Sequence, residues 1–421
     1  MTSPTPDELD AIDLDANHIA DPTFWTAPAE HRHRVFAALR RREPVRWYPP
    51  RTSAFSRPCT GFWALTTYED VWHASRAPSV FCSGLSIDIE ETPDELGEFF
   101  PSMINLDDPQ HHRLRRLVSA GFTPKRIALL DETLRTQAAR ILDRLLDRYG
   151  DGSEFDFVAE VAAQLPLHAI GEMVGVPATD QHLIYEWTNA VVSPDDPSVG
   201  IDGAAAGNRA LADYALALGQ DRLARPTDDL TSVLMHAEVD GERLSPWEFA
   251  NFFILLVSAG NETTRNAISH GMRLLTLYPA QRRVWWEHFE QHAASAAEEI
   301  VRFETPISNM ARVLTEEVEI RGVRLPAGSK VALWYPSANR DETVFPEPHR
   351  FDVTRTFTRP QASYGGGGPH FCLGANLARA EIRIMFDVIA DRMPDIRPLG
   401  PPRTLRSMFI NGIKEIPVSY T

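Results

Sequence analysis

The sequence predicts a mainly α protein, with a large helical part and a smaller β-rich part. Apolar residues recur with helical spacing over long stretches, the longest of which lies between Ser245 and Pro279. Alternation typical of strands is confined to residues 62–67, 318–334 and 408–420. The 421 residues are 43% hydrophobic and 9% aromatic, the balance of a globular protein that can bury a substantial core.

The charge balance and the cysteine content exclude several classes of protein. Lys and Arg total 42 against 58 Asp and Glu, and the net charge of −16 argues against a nucleic-acid partner. Cys59, Cys82 and Cys372 are too few and too far apart for a disulfide framework, which indicates a reducing compartment. The longest apolar run, residues 252–257, is far shorter than the roughly 20 residues that cross a bilayer. We therefore expect a cytoplasmic protein with no integral membrane segment.

The domain organisation is predicted to be simple. The chain has no internal repeat, and Pro and Gly are spread along it instead of marking a linker. Residues 1–21 carry six acids and no Lys or Arg, the opposite of a signal or transit peptide. We expect an acidic N-terminal tail, residues 1–23, followed by a single domain, residues 24–421.

Start and stop signals place several helices. One begins after the N-cap Thr123, with Pro124 in its first turn, and ends before Gly150. The longest begins at Ser245 with a capping box and meets no helix breaker before Pro279, which gives about 34 residues and a length of roughly 50 Å. Its apolar middle predicts that it is buried on most sides.

The remaining elements are short. A helix is predicted over residues 375–393, and a single strand over residues 62–67. Residues 318–334 alternate as strands with a turn at residues 326–328. Residues 408–420 are predicted to form a hairpin around Asn411-Gly412, because Asn-Gly favours a tight hairpin turn.

A glycine-rich loop carries a cysteine at the start of a helix. Four glycines follow Tyr364, and Cys372 then precedes the predicted helix, where the positive end of the helix dipole favours a thiolate. Three other interpretations are open at this point. The cysteine could be an inert apolar residue, the loop could cradle a phosphate without the usual Lys-Ser or Lys-Thr, or His370 and Cys372 could belong to a zinc site that lacks further nearby ligands.

The loop resembles the haem-binding loop of the cytochrome P450 family, the haem-thiolate monooxygenases. The family pattern of glycines, a His or Arg and the cysteine is matched, although Tyr364 lies one residue further from the cysteine than is usual. The resemblance extends from about Phe24 to Thr421 and implies the cytochrome P450 fold, haem b (iron protoporphyrin IX) and O2 as co-substrate. It assigns Cys372 as the metal ligand. The other loop residues that it assigns to cofactor binding are Gly366, Gly368, His370, Phe371 and Gly374.

Polar residues interrupt the apolar long helix at a motif that the family uses to activate oxygen. The segment runs from Ala259 to Thr264, and a chance polar interruption is the alternative. By resemblance, Ala259 belongs to this motif, Gly260 leaves room for dioxygen, and Glu262 and Thr263 hold water and relay protons.

Two further motifs match the family in order and spacing. Glu299 and Arg302 form its Glu-x-x-Arg pair, which has a folding role, and Arg350 is predicted to complete that network. The haem propionates need cationic or hydrogen-bonding partners. The resemblance implies that these are His111, Arg115, Arg312 and His370.

The predicted substrate is an apolar small molecule. Phe252 and Leu256 continue the helix face that carries Ala259 and Thr263, although both could be plain core residues. Ile307, Met310 and Phe409 lie in segments that line the pocket in the family. The chain resembles the actinobacterial branch that hydroxylates methyl-branched lipids and isoprenoids at a terminal carbon, with a sterol side-chain hydroxylase as the alternative. A haem protein that binds without oxygenating and a phosphate-binding enzyme are alternatives of a different class.

Electrons are expected from a separate ferredoxin and a ferredoxin reductase, because the chain has no room for a further redox domain. A basic patch on this acidic protein would attract an acidic partner, although the charges could equally be a solvated surface. The candidates are Arg113, Arg116, Lys125, Arg126 and Arg379.

Overall fold

A computed structural model describes residues 4–52, 58–91, 102–149, 152–191, 199–238 and 241–420. The chain divides into two compact units, each built from separate stretches of sequence. The first unit comprises Met1–Glu91, Asn266–Cys372 and Arg397–Val418, and the second comprises Thr92–Arg265, Leu373–Ile396 and Ser419–Thr421. The expected single domain, residues 24–421, stays a prediction.

Helices dominate the regular structure of the described residues, as the sequence predicted. Their bounds agree closely with the start and stop signals at Pro124, Pro246 and Ala375. In chain order the helices are α1 (Pro6–Asp10), α2 (Pro22–Thr26), α3 (Ala29–Arg42), α4 (Tyr68–Arg76), α5 (Gln110–Ser119), α6 (Pro124–Tyr149), α7 (Gln164–Val174), α8 (Gln181–Val191), α9 (Gly200–Ala224), α10 (Leu230–His236), α11 (Pro246–Leu277), α12 (Pro279–Glu287), α13 (Phe289–Phe303), α14 (Tyr335–Ala338) and α15 (Ala375–Arg392).

The strands are short. Two of them, β2 and β3, pair only with each other in an antiparallel hairpin. The strands are β1 (Val45–Tyr48), β2 (Arg51–Thr52), β3 (Pro58–Cys59), β4 (Phe62–Leu65), β5 (Phe81–Cys82), β6 (Glu154–Asp156), β7 (Asn309–Leu314), β8 (Val318–Ile320), β9 (Val323–Leu325), β10 (Lys330–Trp334), β11 (Arg397–Pro398), β12 (Arg403–Thr404), β13 (Ile413–Glu415) and β14 (Pro417–Ser419).

A five-stranded sheet forms the centre of the first unit, in the order β1-β4-β10-β7-β5. Strand β10 runs parallel to β4 and antiparallel to β7. Because side chains alternate along a strand, β10 serves two cores. Ala332 and Trp334 pack in one hydrophobic cluster, and Val331 and Leu333 pack in the other.

The N-terminal segment is part of this core. Leu9, Leu14 and Ile19 are buried in the same cluster as Trp334, so residues 4–23 pack on the first unit and do not form the separate tail that we expected. Acidic composition alone was misleading, because three well-spaced apolar residues are enough to fix the segment. Residues 1–3 lie outside the described residues.

The prediction placed the turn of the C-terminal hairpin at the wrong residues. Strand β13 pairs with β12, and the Leu405 N–H donates to the Gly412 carbonyl, so the loop lies upstream of Asn411-Gly412. Asn411 does not form a tight turn because other segments of the unit hold it. Its side chain donates to Glu304 at 3.0 Å, and its carbonyl is 2.9 Å from the His270 ring nitrogen Nε2.

Two ion pairs in the second unit join α6 to α15, the helix that follows Cys372. Arg383 lies 2.8 Å from Asp131, and Arg135 pairs with Asp387. Both pairs have the same sequence separation, so the two helices run parallel in a fixed register.

The Glu-x-x-Arg pair is fully buried in the first unit. Arg302 donates to both carboxylate oxygens of Glu299, at 2.6 and 2.8 Å, and to the carbonyl of Asn339 at 2.8 Å. The side chain that completes this network is Arg355, 2.9 Å from Glu299, and not the predicted Arg350. The Arg350 side chain is 54% exposed and pairs with Glu347 and Asp352, so it contributes only its backbone carbonyl to the network.

We expect Arg355→Ala to destabilise the protein strongly and Arg350→Ala to leave it nearly unchanged. Removing Arg355 leaves a fully buried carboxylate with one charged partner fewer, a loss on the order of 3 kcal/mol, whereas an exposed substitution costs about 0.5 kcal/mol or less. Thermal denaturation of the two variants measures the difference. Equal melting temperatures would contradict the assignment of Arg355.

Candidate active site

The glycine loop follows a left-handed path that only glycine adopts without strain. Gly365, Gly366, Gly367 and Gly368 have φ angles of 102°, 63°, 81° and 79°. The path also brings the loop against α4. A Cβ atom on Gly368 would lie 2.0 Å from the backbone oxygen of Ser75, which leaves no space for any side chain.

The loop closes on itself and presents the thiol of Cys372. The Cys372 N–H donates to the Tyr364 carbonyl at 2.9 Å, so the additional glycine of the sequence is accommodated within a closed turn. Gly374 caps α15, and the Cys372 thiol lies two residues before this helix N-terminus. Cys372 is exposed whereas Cys82 is buried. An exposed thiol beside a helix N-terminus is the environment that favours a thiolate.

The middle turn of α11 is open on one side only. Ala259 is exposed, and Gly260 and Thr263 are partly exposed, whereas Asn261 and Glu262 are buried. The Thr263 hydroxyl donates to the Ala259 carbonyl at 2.8 Å. Because this bond uses the hydroxyl proton, the Thr263 oxygen is left as an acceptor for a group in the open space.

Two features of this turn were not anticipated. Glu262 is bound by Arg265, and Arg265 also reaches Asn189 on α8 at 3.3 Å, so the carboxylate is charge-paired on its own helix. A Cβ atom on Gly260 would lie 2.8 Å from Ile170 of α7. Close packing of α7 on α11 is therefore a sufficient reason for glycine here, and the predicted role in making room for dioxygen stays a prediction.

Sequence reasoning missed Glu381, a fully buried carboxyl group on α15. Burial raises the pKa of Glu381 to about 8, although a hydrogen bond from the Thr264 hydroxyl opposes this shift. The group is therefore protonated at neutral pH. The only sequence signal is a glutamate on the apolar side of the predicted helix, at a position where a charged residue is not expected.

The residues predicted to hold the propionates occur in both units. His111 is buried, its Nδ1 atom lies 3.4 Å from Asp108, and burial lowers its pKa although Asp108 opposes this. His111 is thus suited to hydrogen bonding as a neutral ring. Arg115 is partly exposed on the same helix. In the first unit, Arg312 is buried and donates to the Ala311 carbonyl, and His370 is partly exposed.

The predicted substrate residues separate into two groups. Phe252 and Leu256 are buried along α11. Ile307 and Phe409 are brought together in the first unit, where the Ser308 N–H donates to the Phe409 carbonyl at 2.7 Å. Both are partly exposed, as is Met310.

The basic patch loses one of its predicted members. Arg113 pairs with Glu242 at 3.3 Å and with Glu248, so its charge is compensated. The other four residues also lie in the second unit, and the register of α6 and α15 places Arg379 level with Ile127. Lys125 and Arg126 therefore lie within one helical turn of that level.

The chain is similar to known proteins over most of its length. The cytochrome P450 family model matches residues 293–390. A methyl-branched lipid omega-hydroxylase of Mycobacterium tuberculosis is 45% identical over 418 residues, covering 99% of this chain and 96% of that protein. A steroid C26-monooxygenase of Rhodococcus jostii is 41% identical over 409 residues, covering 94% of this chain and 84% of that protein. A cytochrome P450 of Mycobacterium marinum in complex with pseudoionone has a TM-score of 0.91 at 36% identity, covering 97% of this chain and 100% of that chain.

The fold and the motifs define a haem-thiolate monooxygenase, and the extent of the identity agrees with them. The chain belongs to the cytochrome P450 family. It is therefore an oxidoreductase of the class that uses a haem-thiolate and O2. Within the described stretches, every helix is too short or too polar to cross a membrane.

We expect Glu381→Gln to make the protein more stable at pH 8 and to leave its stability at pH 4 nearly unchanged. The folded-state pKa of about 8 lies above the ordinary value of 4.5, so the folded protein binds more protons than the unfolded chain between these pH values. Stability therefore falls as pH rises through this window, and glutamine removes that dependence. Thermal melting at several pH values measures it, with exposed Glu132→Gln as control. Parallel curves for Glu381→Gln and the unmutated protein would contradict the protonated state.

Proposed function

We propose that this protein binds haem b through the Cys372 thiolate. The exposed thiol at the end of a glycine loop with positive φ angles is the observation that carries the proposal. Gly366, Gly368 and Phe371 belong to the loop that would lie against the haem, and the Phe371 ring centroid is 6.3 Å from that of Tyr364. When bound, the haem supplies oxygen activation at its iron.

The propionates are held by four residues of this chain in our proposal. His111 donates as a neutral imidazole, and Arg115 and Arg312 supply positive charge. His370, two residues before the thiolate, supplies a further donor. Arg312 is buried in the first unit, where its guanidinium donates to the Ala311 carbonyl.

Proton delivery is assigned to the open turn of α11. The Thr263 hydroxyl donates its proton in a hydrogen bond to the Ala259 carbonyl, so its oxygen accepts a hydrogen bond from a water molecule that delivers protons. Glu262 holds this water when its carboxylate exchanges the ion pair with Arg265 for a hydrogen bond to solvent. Gly260 leaves space beside the helix for dioxygen, and the neighbouring Ala259 is exposed.

We propose that the substrate is a methyl-branched lipid or isoprenoid that is hydroxylated at a terminal methyl carbon. The 45% identity to methyl-branched lipid omega-hydroxylases and the partly exposed apolar residues Ile307, Met310 and Phe409 support this assignment. Burial of a branched chain against such residues supplies roughly 25 cal/mol per Å². A sterol side chain is the second candidate, because steroid C26-monooxygenases are 41% identical to this chain.

Electrons are proposed to come from an acidic ferredoxin and its reductase. The basic cluster that we propose comprises Lys125 and Arg126 of α6 and Arg379 of α15, which lie at matching levels in the register of the two helices. Arg116 is exposed at the end of the preceding helix α5. Positive charge on these helices would attract an acidic carrier.

We expect the purified protein with a ferredoxin and reductase to hydroxylate a methyl-branched fatty acid at its terminal carbon. Mass spectrometry identifies the product, and equimolar sterol and straight-chain fatty acid serve as competing substrates. The Cys372→Ser variant is the control and should lack both product and the red-shifted Soret band of the reduced carbon monoxide complex.

If the protein hydroxylates the sterol in preference to the fatty acid, a sterol side chain takes the place of the methyl-branched lipid as the proposed substrate. If the unmutated protein does not show the red-shifted Soret band, the proposal that Cys372 binds haem as a thiolate is contradicted.

We expect neutralisation of Lys125 and Arg126 to raise the KM for ferredoxin about tenfold at low salt and to flatten its salt dependence. Each charge lost near the interface removes an attraction that salt screens over about 10 Å. Steady-state reduction at several ionic strengths measures this effect. Arg225→Gln, which removes an 80% exposed charge at the C-cap of α9, is the matched control. An unchanged KM in the double variant would contradict the basic cluster.

A further inference from the structure

A small cavity in the second unit is surrounded by three helices and contains polar side chains. Its volume is about 10 Å³. Asn261, which lies between Gly260 and Glu262 on α11, contributes to its wall, and Gln181 and Thr188 of α8 contribute from another side. The remaining wall is formed by Leu167, Ile170, Gly171, Val176, Ile184 and Val257.

The polar atoms around this cavity have no hydrogen-bond partner within the described protein. They are both amide atoms of Asn261, the Oε1 atom of Gln181 and the Oγ1 atom of Thr188. Asn261 and Thr188 are each 2% exposed and Gln181 is 6% exposed. Four buried polar atoms without partners are expensive, so a ligand that satisfies them would stabilise the structure.

The size and polarity of the cavity select one ligand. A space of roughly 10–15 Å³ holds a single water molecule, and a buried water needs two to four polar partners. Water can donate to the Asn261 and Gln181 oxygens and can accept from the Thr188 hydroxyl. An apolar molecule would leave all three side chains unsatisfied, and a larger polar molecule would not fit.

We propose that this cavity is a binding site for one ordered water molecule, which joins α8 to α11 at Asn261. The site holds α8 against the turn that carries Gly260 and Glu262. It acts together with the Arg265 to Asn189 hydrogen bond, one residue further along α8 and one turn further along α11. The proposal does not depend on the haem or on the substrate.

We expect the proposed water to exchange with solvent past Gln181. Gln181 and Val176 also line a surface groove of about 540 Å³, whose wall includes Arg140, Arg144 and His168. The Gln181 side chain packs closely on Gly171, where a Cβ atom would lie 2.8 Å from its Nε2 atom. Rotation of Gln181 would therefore open the cavity to the groove, and the bound water should exchange slowly.

The test is whether Thr188→Val lowers or raises the folding stability of the haem-loaded protein. If the water is bound, the variant removes one of its partners and should lower the folding equilibrium constant about tenfold. Thr231→Val is the matched control, because the buried Thr231 hydroxyl donates directly to the Val174 carbonyl at 2.7 Å in the same unit. A comparable loss in both variants supports the proposal.

An unchanged or higher stability of Thr188→Val would overturn it, because removing an unsatisfied hydroxyl from a dry cavity is favourable. A second measurement counts long-lived internal waters by magnetic relaxation dispersion of the water nuclei. Asn261→Leu should reduce that number by one, and an unchanged number would also overturn the proposal. Either negative result leaves the proposed haem chemistry intact, since neither measurement depends on turnover.

Discussion

The presentation of the Cys372 thiol depends on one steric constraint, the left-handed path of four consecutive glycines against α4. The backbone of Gly368 approaches Ser75 so closely that a single methyl group would force the loop away. The loop then returns to Tyr364 through the Cys372 N–H. This arrangement fixes the cysteine backbone on both sides while its sulfur stays exposed, which a metal ligand requires and an inert core cysteine does not.

A buried polar frame holds the start of this loop. Asn339 accepts from the Ala362 N–H at 2.6 Å and donates to Ser363 at 2.8 Å, and its carbonyl accepts from Arg302. The Glu299 and Arg302 pair thereby acts on the loop through one asparagine. Buried ion pairs of this kind add little net stability compared with apolar packing, but they penalise every arrangement that leaves a charge unpaired. We infer that the network favours one position of the loop over alternatives of similar compactness.

Sequence periodicity predicted α6, α11 and α15 to within about two residues because their caps and breakers are local signals. Prediction from the sequence failed where contacts between distant segments determine the local structure. Arg350 and Arg355 are equally plausible partners for Glu299 in sequence, and only the path of the backbone makes one of them exposed. Asn411-Gly412 has the composition of a hairpin turn, yet hydrogen bonds from distant residues override that preference. Glu381 was missed because helical patterning identifies a buried face but does not state whether a carboxyl on that face is charged.

The polar residues of α11 serve different purposes according to the direction in which they point. Glu262 is engaged by Arg265, and Thr264 by Glu381, while Asn261 faces the small polar cavity. These three are buried, and each is held against another helix or its own. Thr263 is the hydroxyl of this segment that is partly exposed, and its proton is engaged within the helix. The buried groups therefore fix the helix, and the chemistry that dioxygen requires is left to the single open face.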